Sequence, residues 1–334
     1  MQLNEIWFLI VGFLFIGYFV LDGFDFGVGM SLPFLGKDDT DRRVLINTIG
    51  PVWDLNETWV LVAGASLFAS FPEWYASLFS GFYLALLLIL AALIVRGVAF
   101  EYRGKGDTAK WRKTFDWMIT IGSAVPALLW GVAFANIVNG VPLNAQHIYT
   151  GTLFTLLNPY GLLGGLVTLT LFFTHGLVFI TLKTDGDIRD RARELAKKSG
   201  YVTTVLAASF LVWTLAAHYS VIGLVLTGIA ALSLIAAQVA NFAKRDGWSF
   251  SLLVVTIVTA VGALFAALYP NVLPSTTNTA FSLTIQNASS SQYTLTVMSW
   301  VALFMVPFVI AYQSWTYWVF RKRVTRKSIP TGSH

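Results

Sequence analysis

Five ionisable side chains stand in parts of this sequence that offer them no water. The stretch Leu21-Asp22-Gly23-Phe24-Asp25-Phe26-Gly27-Val28-Gly29-Met30 closes a long apolar run that starts near Trp7, and it holds two carboxylates three residues apart. Pro51-Val52-Trp53-Asp54-Leu55-Asn56-Glu57-Thr58-Trp59 repeats that spacing with Asp54 and Glu57. At i and i+3, two side chains share one face of a helix. Arg96, in a third apolar run, is the cation of the same region. A charged side chain at the centre of a membrane helix costs about 2.5–3.5 kcal/mol on insertion scales, so it persists only with a partner charge, a hydrated path or a neighbouring protein. Four carboxylates to one guanidinium leave carboxyl groups free to take up and release protons. The chemistry this pattern suggests is proton transfer inside a membrane. Two blander readings stand beside it: Arg96 pairs with one or two acids to fix helix packing, or it snorkels to the surface.

Composition supports the membrane setting. Of 334 residues, 56% are hydrophobic and 12% charged, where a soluble domain has about 25% charged residues. The mean hydropathy is +0.68. Absence of cysteine excludes thiolate-held iron–sulfur clusters, c-type haem attachment and disulfides. The start, Met1-Gln2-Leu3-Asn4-Glu5-Ile6-Trp7, has no basic region, so the first apolar run is expected to remain as an anchor. The net charge of +5 follows from sidedness and implies no nucleic-acid partner.

The apolar runs predict an all-α, polytopic protein with nine transmembrane helices. The expected spans are about 7–35, from between Arg43 and Pro51 to Phe71, 74–101, 115–138, 160–182, 200–218, 221–242, 250–269 and 293–320. Pro51, Pro126 and Pro307 should kink spans or mark their ends. Of 22 basic residues, 21 fall on alternate connections and the tail, and Arg96 is the exception. By the positive-inside rule the N-terminus is outside and the C-terminus cytoplasmic. A rise of 1.5 Å per residue places Asp25 about 15 Å and Arg96 about 8 Å from the inner ends of their spans. Asp54 also lies in the inner half, and Asp22 and Glu57 lie deeper. Gly23 and Gly27 form a small-xxx-small pair that lets another helix come close.

Other candidates weigh less. His147, His175, His218 and His334 are the histidines, and His175 alone lies well inside a span. A lone membrane histidine is more often hydrogen-bonded within the bundle than ligating. Trp53, Trp74, Trp111, Trp300, Trp315 and Trp318 near span ends suggest an interfacial belt. A proton-coupled secondary transporter is the alternative function, but the inverted repeats it favours are not evident.

At this point a resemblance carries further. LDGFDFGVGM, the segment LGKDDTDRRVLINTIGPVWDLNETWVLVAGASLFASFP, FSGFYLALLLILAALIVRGVAFEYR, WRKTFDW, GVAFANIVNGVPLN and LLNPYGLLGG resemble subunit II of the cytochrome bd-type quinol oxidases. The likeness fades over spans six and seven and returns with YPNVLPS and the last span. It departs at Asn287, where an Asp is expected, and at His175, where a Gln is expected.

The resemblance implies a subunit of a complex in the bacterial plasma membrane. That complex oxidises quinol and reduces dioxygen to water. Its protons come from the cytoplasm, so turnover builds a membrane potential without pumping. It implies that haem b and haem d are held by subunit I and that this chain ligates none. It implies two four-helix bundles, here 1–139 with the polar face and 140–270. The rest, 271–334, is an outer loop, a peripheral ninth helix and a basic tail. The implied proton route runs through Asp25, Asp54 and Arg96, lined by Asp22, Trp53 and Glu57. Membrane lipid, small accessory subunits and a structural quinone are further neighbours it leaves open.

Overall fold

The computed structural model describes residues 2–329; the expectation of a fourth histidine at His334 and the last residues of the tail lie outside them. The elements are α1 (Leu3–Leu35), α2 (Asp39–Ile49), α3 (Trp53–Ser70), α4 (Pro72–Gly81), α5 (Tyr83–Tyr102), α6 (Ala109–Asn139), α7 (Leu153–Leu156), α8 (Pro159–Lys183), α9 (Gly186–Ala217), α10 (Val221–Phe242), α11 (Asp246–Leu268), β1 (Asn271–Leu273), β2 (Leu283–Thr284) and α12 (Gln292–Val319). Starts carry the side chains that can satisfy free backbone N–H groups. Asp38 accepts from Asp41 N at 2.8 Å ahead of α2, and Asn158 accepts from Gly161 N at 2.8 Å ahead of α8. Ser220 accepts from Gly223 N at 2.9 Å ahead of α10.

Among the described residues, eight helices are long and apolar enough to cross a membrane. The expected second span is carried by α3, which is not one of the eight. It has 18 residues, and Asp54, Asn56 and Glu57 lower its hydropathy. It starts at Trp53, after a turn that holds Pro51, rather than between Arg43 and Pro51. The expected third span is broken at Phe82 into α4 and α5, where the ring of Tyr149 packs against Gly81. The sixth starts well before Gly200, because its charged segment is itself helical. Arg191–Asp187 at 3.0 Å, Arg193–Asp190 at 2.9 Å and Lys197–Glu194 at 2.6 Å brace its first turns.

α1 is the axis of the molecule, packed against α3, α6, α8 and α11. Its contact with α8 is backbone on backbone. A Cβ on Gly27 would meet the Phe172 carbonyl and, at 2.7 Å, the Cα of Gly176, so only glycine allows this approach. The N-terminal half of α1 is buried in aromatic rings: Phe15 and Phe19 pack on Phe134 with centroids 5.0 and 5.1 Å apart, and Phe15 on Trp130 at 6.0 Å. Trp74, expected at the interface, is buried, whereas Trp300, Trp315 and Trp318 are exposed.

α12 lies at the edge, with only Leu295, Gln313 and Thr316 buried. At one end of the molecule β1 and β2 pair and Val141 N donates to Pro274 O at 3.0 Å, joining two loops. There Asn287 uses both halves of its amide, accepting from Thr284 N at 2.7 Å and donating to Ser282 O at 3.2 Å, which a carboxylate could not do. At the other end the basic connections meet the acids that follow α1. Arg103 bonds Asp116 and Asp39 at 2.6 and 2.7 Å, and Arg191 bonds Asp41 at 2.8 Å.

Candidate functional site

The seam between α1, α3 and α5 gathers the acids of the first two spans around Arg96. Its guanidinium is fully buried and donates from Nη2 to Asp22 Oδ1 at 2.6 Å and to Glu57 Oε2 at 3.4 Å. It lies over the ring of Phe26 at 4.5 Å and near that of Phe100 at 5.8 Å. Gly122 of α6 makes the room: a Cβ there would stand 2.8 Å from Ala92 O and 2.9 Å from Arg96 Cβ. Snorkelling is thereby excluded.

Asp25, three residues beyond Asp22, is also fully buried and accepts from Asn56 Nδ2 at 2.7 Å. Trp53 is partly buried and packs on Phe100 with centroids 5.1 Å apart, at the base of the contact between α3 and α5. Glu57 keeps 23% of its side-chain exposure. Asp54 is exposed at the first turn of α3, and its carboxylate has no hydrogen bond or ion pair among the described residues. Along α3, Asp54 lies in the first turn and Glu57 about one turn further along.

Asp22 is the direct partner of Arg96, and Asp25 bonds an amide. The seam is under-satisfied by protein: Asp22 Oδ2, Asp25 Oδ1 and Arg96 Nε and Nη1 are buried without a partner among the described residues. Such groups cost several kcal/mol each in a hydrocarbon setting unless water or another partner reaches them. Asp22 and Glu57 share this one cation and Asp25 lies beside them, so carboxyl groups outnumber the guanidinium in the seam. The arrangement can therefore hold and exchange protons. Beyond the seam, Trp130 Nε1 donates to Tyr18 OH at 3.1 Å, and the N-terminal half of α1 is surrounded by aromatic rings.

Sequence reasoning missed Asn56, Gln313 and Tyr317. Gln313 Nε2 and Tyr317 OH donate to Asn56 Oδ1 at 3.1 and 2.8 Å, from a helix some 250 residues away. The available signal was an amide inside an apolar run, which appears once in α3 and once in the C-terminal half of α12. Ser123, a buried hydroxyl beside Gly29, was missed too. At the basic end, a cleft of about 420 Å³ lies between α1 and α6, lined by Asp39, Arg42, Arg112, Lys113, Asp116 and Thr120 among others.

His175 is not brought to this cluster. Its Nε2 is bonded to Val20 O at 3.1 Å, and its ring stacks on Phe250 with centroids 4.8 Å apart.

Residues 3–320 match the family model described as cytochrome bd terminal oxidase subunit II. The chain is 44% identical over 333 residues to cytochrome bd ubiquinol oxidase subunit 2 of Bacillus subtilis (strain 168), covering 98% of each. It is 39% identical over 370 aligned positions to cytochrome bd-I ubiquinol oxidase subunit 2 of Escherichia coli (strain K12), covering 99% of this chain and 98% of the relative. Its fold matches a chain of the bd oxidase from Geobacillus thermodenitrificans with a TM-score of 0.80 at 17% identity, over 96% of this chain and 99% of that one.

Proposed function

This chain belongs to the family of cytochrome bd terminal oxidase subunit II, and from that premise we propose that its own part in the complex is to lead protons from the cytoplasm toward the oxygen-reducing partner. It is a subunit of a quinol:oxygen oxidoreductase of the respiratory chain, in a bacterial plasma membrane, and works with a subunit I. Haem and quinol take part in the reaction of that complex. The transporter alternative is not favoured by this membership.

One observation carries the proton reading. A fully buried Arg96 joins Asp22 and Glu57, while Asp25 and the exposed Asp54 flank them on the same two helices. In this reading Asp54 takes protons at the cytoplasmic edge. Glu57, Asp25 and Asp22 hold them inside, Arg96 keeps one acid ionised, and Trp53 walls the lower seam. Reducing dioxygen to water consumes protons as well as electrons. The aromatic packing of outer α1 supports one-sided access, hence a membrane potential built without pumping.

The face of α3 and α5 that bears Asp54 and Glu57 is the proposed contact with subunit I. A carboxylate turned to lipid would carry the insertion cost given above, which a protein neighbour removes. The first polar bundle, 1–139, would then meet the partner, with 140–270 and 271–334 extending from it. Membrane lipid, or a small accessory subunit, is the proposed neighbour of α12.

The chain does not fit a haem of its own. His175 commits Nε2 to a backbone carbonyl, and Phe24 and Phe250 pack on its ring, which leaves no room for a macrocycle beside its buried Nδ1. We therefore assign haem b and haem d to subunit I. An apolar cavity of about 70 Å³ between α6, α8, α9 and α11 offers Thr168 and Thr256 as its hydroxyls, both already donating to carbonyls. It suits the tail of a structural quinone or lipid better than a quinone head.

Asp25→Asn and Asp54→Asn test the reading in the purified complex. Oxygen consumption should fall roughly tenfold, about 1.4 kcal/mol on the limiting barrier, with assembly and haem content intact. Full activity in both variants would remove the proton role; loss of activity in step with loss of haem would favour the structural reading.

A further inference from the structure

We infer that Gln313 and Tyr317 of α12, acting through Asn56, are positioning residues that decide which oxygen of Asp25 carries its proton. This rests on the reading of Asp25 as a proton carrier. The direction of every hydrogen bond in the group follows from one side chain. Trp59 Nε1 lies 2.7 Å from Gln313 Oε1, and an indole N–H can only donate. Gln313 must therefore turn its NH2 group toward Asn56, where Nε2 donates to Oδ1 at 3.1 Å. Tyr317 OH donates to the same Oδ1 at 2.8 Å. Asn56 is left with its own NH2 facing α1, donating to Asp25 Oδ2 at 2.7 Å and to Leu21 O at 3.4 Å.

Asp25 Oδ2 is thus an obligate acceptor. A proton placed on it would confront an N–H that has no acceptor capacity. The other oxygen, Oδ1, is buried with no partner among the described residues, so the proton rides there. Asn56 is fully buried and Gln313 nearly so, which keeps water from competing for these bonds. Without α12, Asn56 could rotate its amide by half a turn, offer its carbonyl to Asp25 and hold a proton on the wrong oxygen. Gln313 is one of only three buried residues of α12, so the helix spends part of a small contact on this relay.

The test uses the whole complex, with Asp25→Asn, Gln313→Leu and Tyr317→Phe compared by haem content, by kcat and quinol KM separately, and by infrared difference spectra of the protonated carboxyl. The band lost in Asp25→Asn identifies Asp25. In Gln313→Leu and Tyr317→Phe that band should move, and kcat should drop about two- to tenfold, the range a single hydrogen bond spans, with quinol KM unchanged. An unmoved band and unchanged kcat in variants with normal haem content would overturn the inference. Should Gln313→Leu fail to assemble, Tyr317→Phe decides alone, because it deletes one donor and keeps the ring. Full activity in Asp25→Asn would instead mean that the reading of Asp25 itself has failed, and this inference falls with it.

Discussion

Arg96 and Asp54 show how differently two charged residues of neighbouring helices can be used. Arg96 is wholly enclosed, and its bond to Asp22 joins two fully buried groups. Breaking such a pair leaves the survivor uncompensated, so Arg96→Leu should cost about 3–5 kcal/mol. A lower thermal midpoint of the complex, followed through its haem absorbance, or failed assembly would report it. Removing both members together, Arg96→Leu with Asp22→Leu, should regain assembly but not oxygen reduction, because a buried ion pair sets specificity more than stability. Equal loss of assembly in the single and double variants would contradict the pairing. Asp54 is exposed and makes no bond among the described residues, so Asp54→Asn should shift stability by no more than about 0.5 kcal/mol in the same melting experiment.

At the scale of elements, the seam depends on a helix crossing and a latch. Gly27 sets how closely α1 lies on α8, and Gly27→Ala should cost about 1–3 kcal/mol through overpacking against the Phe172 carbonyl and Gly176. A thermal midpoint within error of the parent would refute that. The latch is the segment after α12. Val324 N donates to Lys183 O at 2.7 Å, Ile329 is buried, and Arg326 bonds Asp41 and, at 2.6 Å, Asp38. The hydrogen bond from Arg326 holds the Asp38 carboxyl below the usual aspartate range. The sign follows: this contribution is complete above the ordinary value of about 3.9 and is lost as pH falls through the lowered one. Protease cleavage of the tail should stay slow from pH 8 to about pH 5 and speed up only in stronger acid, whereas Arg326→Ala should be cleaved fast throughout. A release of the parent tail between pH 7 and 5 would speak against this latch.

For the whole molecule, the proposed function predicts one-sided proton uptake, from the polar half of α1 rather than from its aromatic half. Complex reconstituted in vesicles should take up protons from the cytoplasmic face during turnover, and a pH dye on that face should report it. Proton uptake from the outer face would contradict the aromatic seal. Complex purified through this chain should carry haem at a fixed ratio, and this chain expressed by itself should be colourless. Haem retained by the isolated chain would contradict the assignment to subunit I.

The all-α membrane class and the acidic helices were legible in residue order, because apolar runs and i, i+3 spacing are local properties that each segment carries by itself. The close approach at Gly27 could be read in the same way. Tertiary packing alone decided that Asp22 is the partner of Arg96, that Asp54 stays outside, that the third span breaks at Phe82 and that α12 reaches Asn56. The reason is physical. A carboxylate or an amide has no fixed role until a neighbouring helix supplies its donor or acceptor, and which helix does so depends on how small residues let the bundle close.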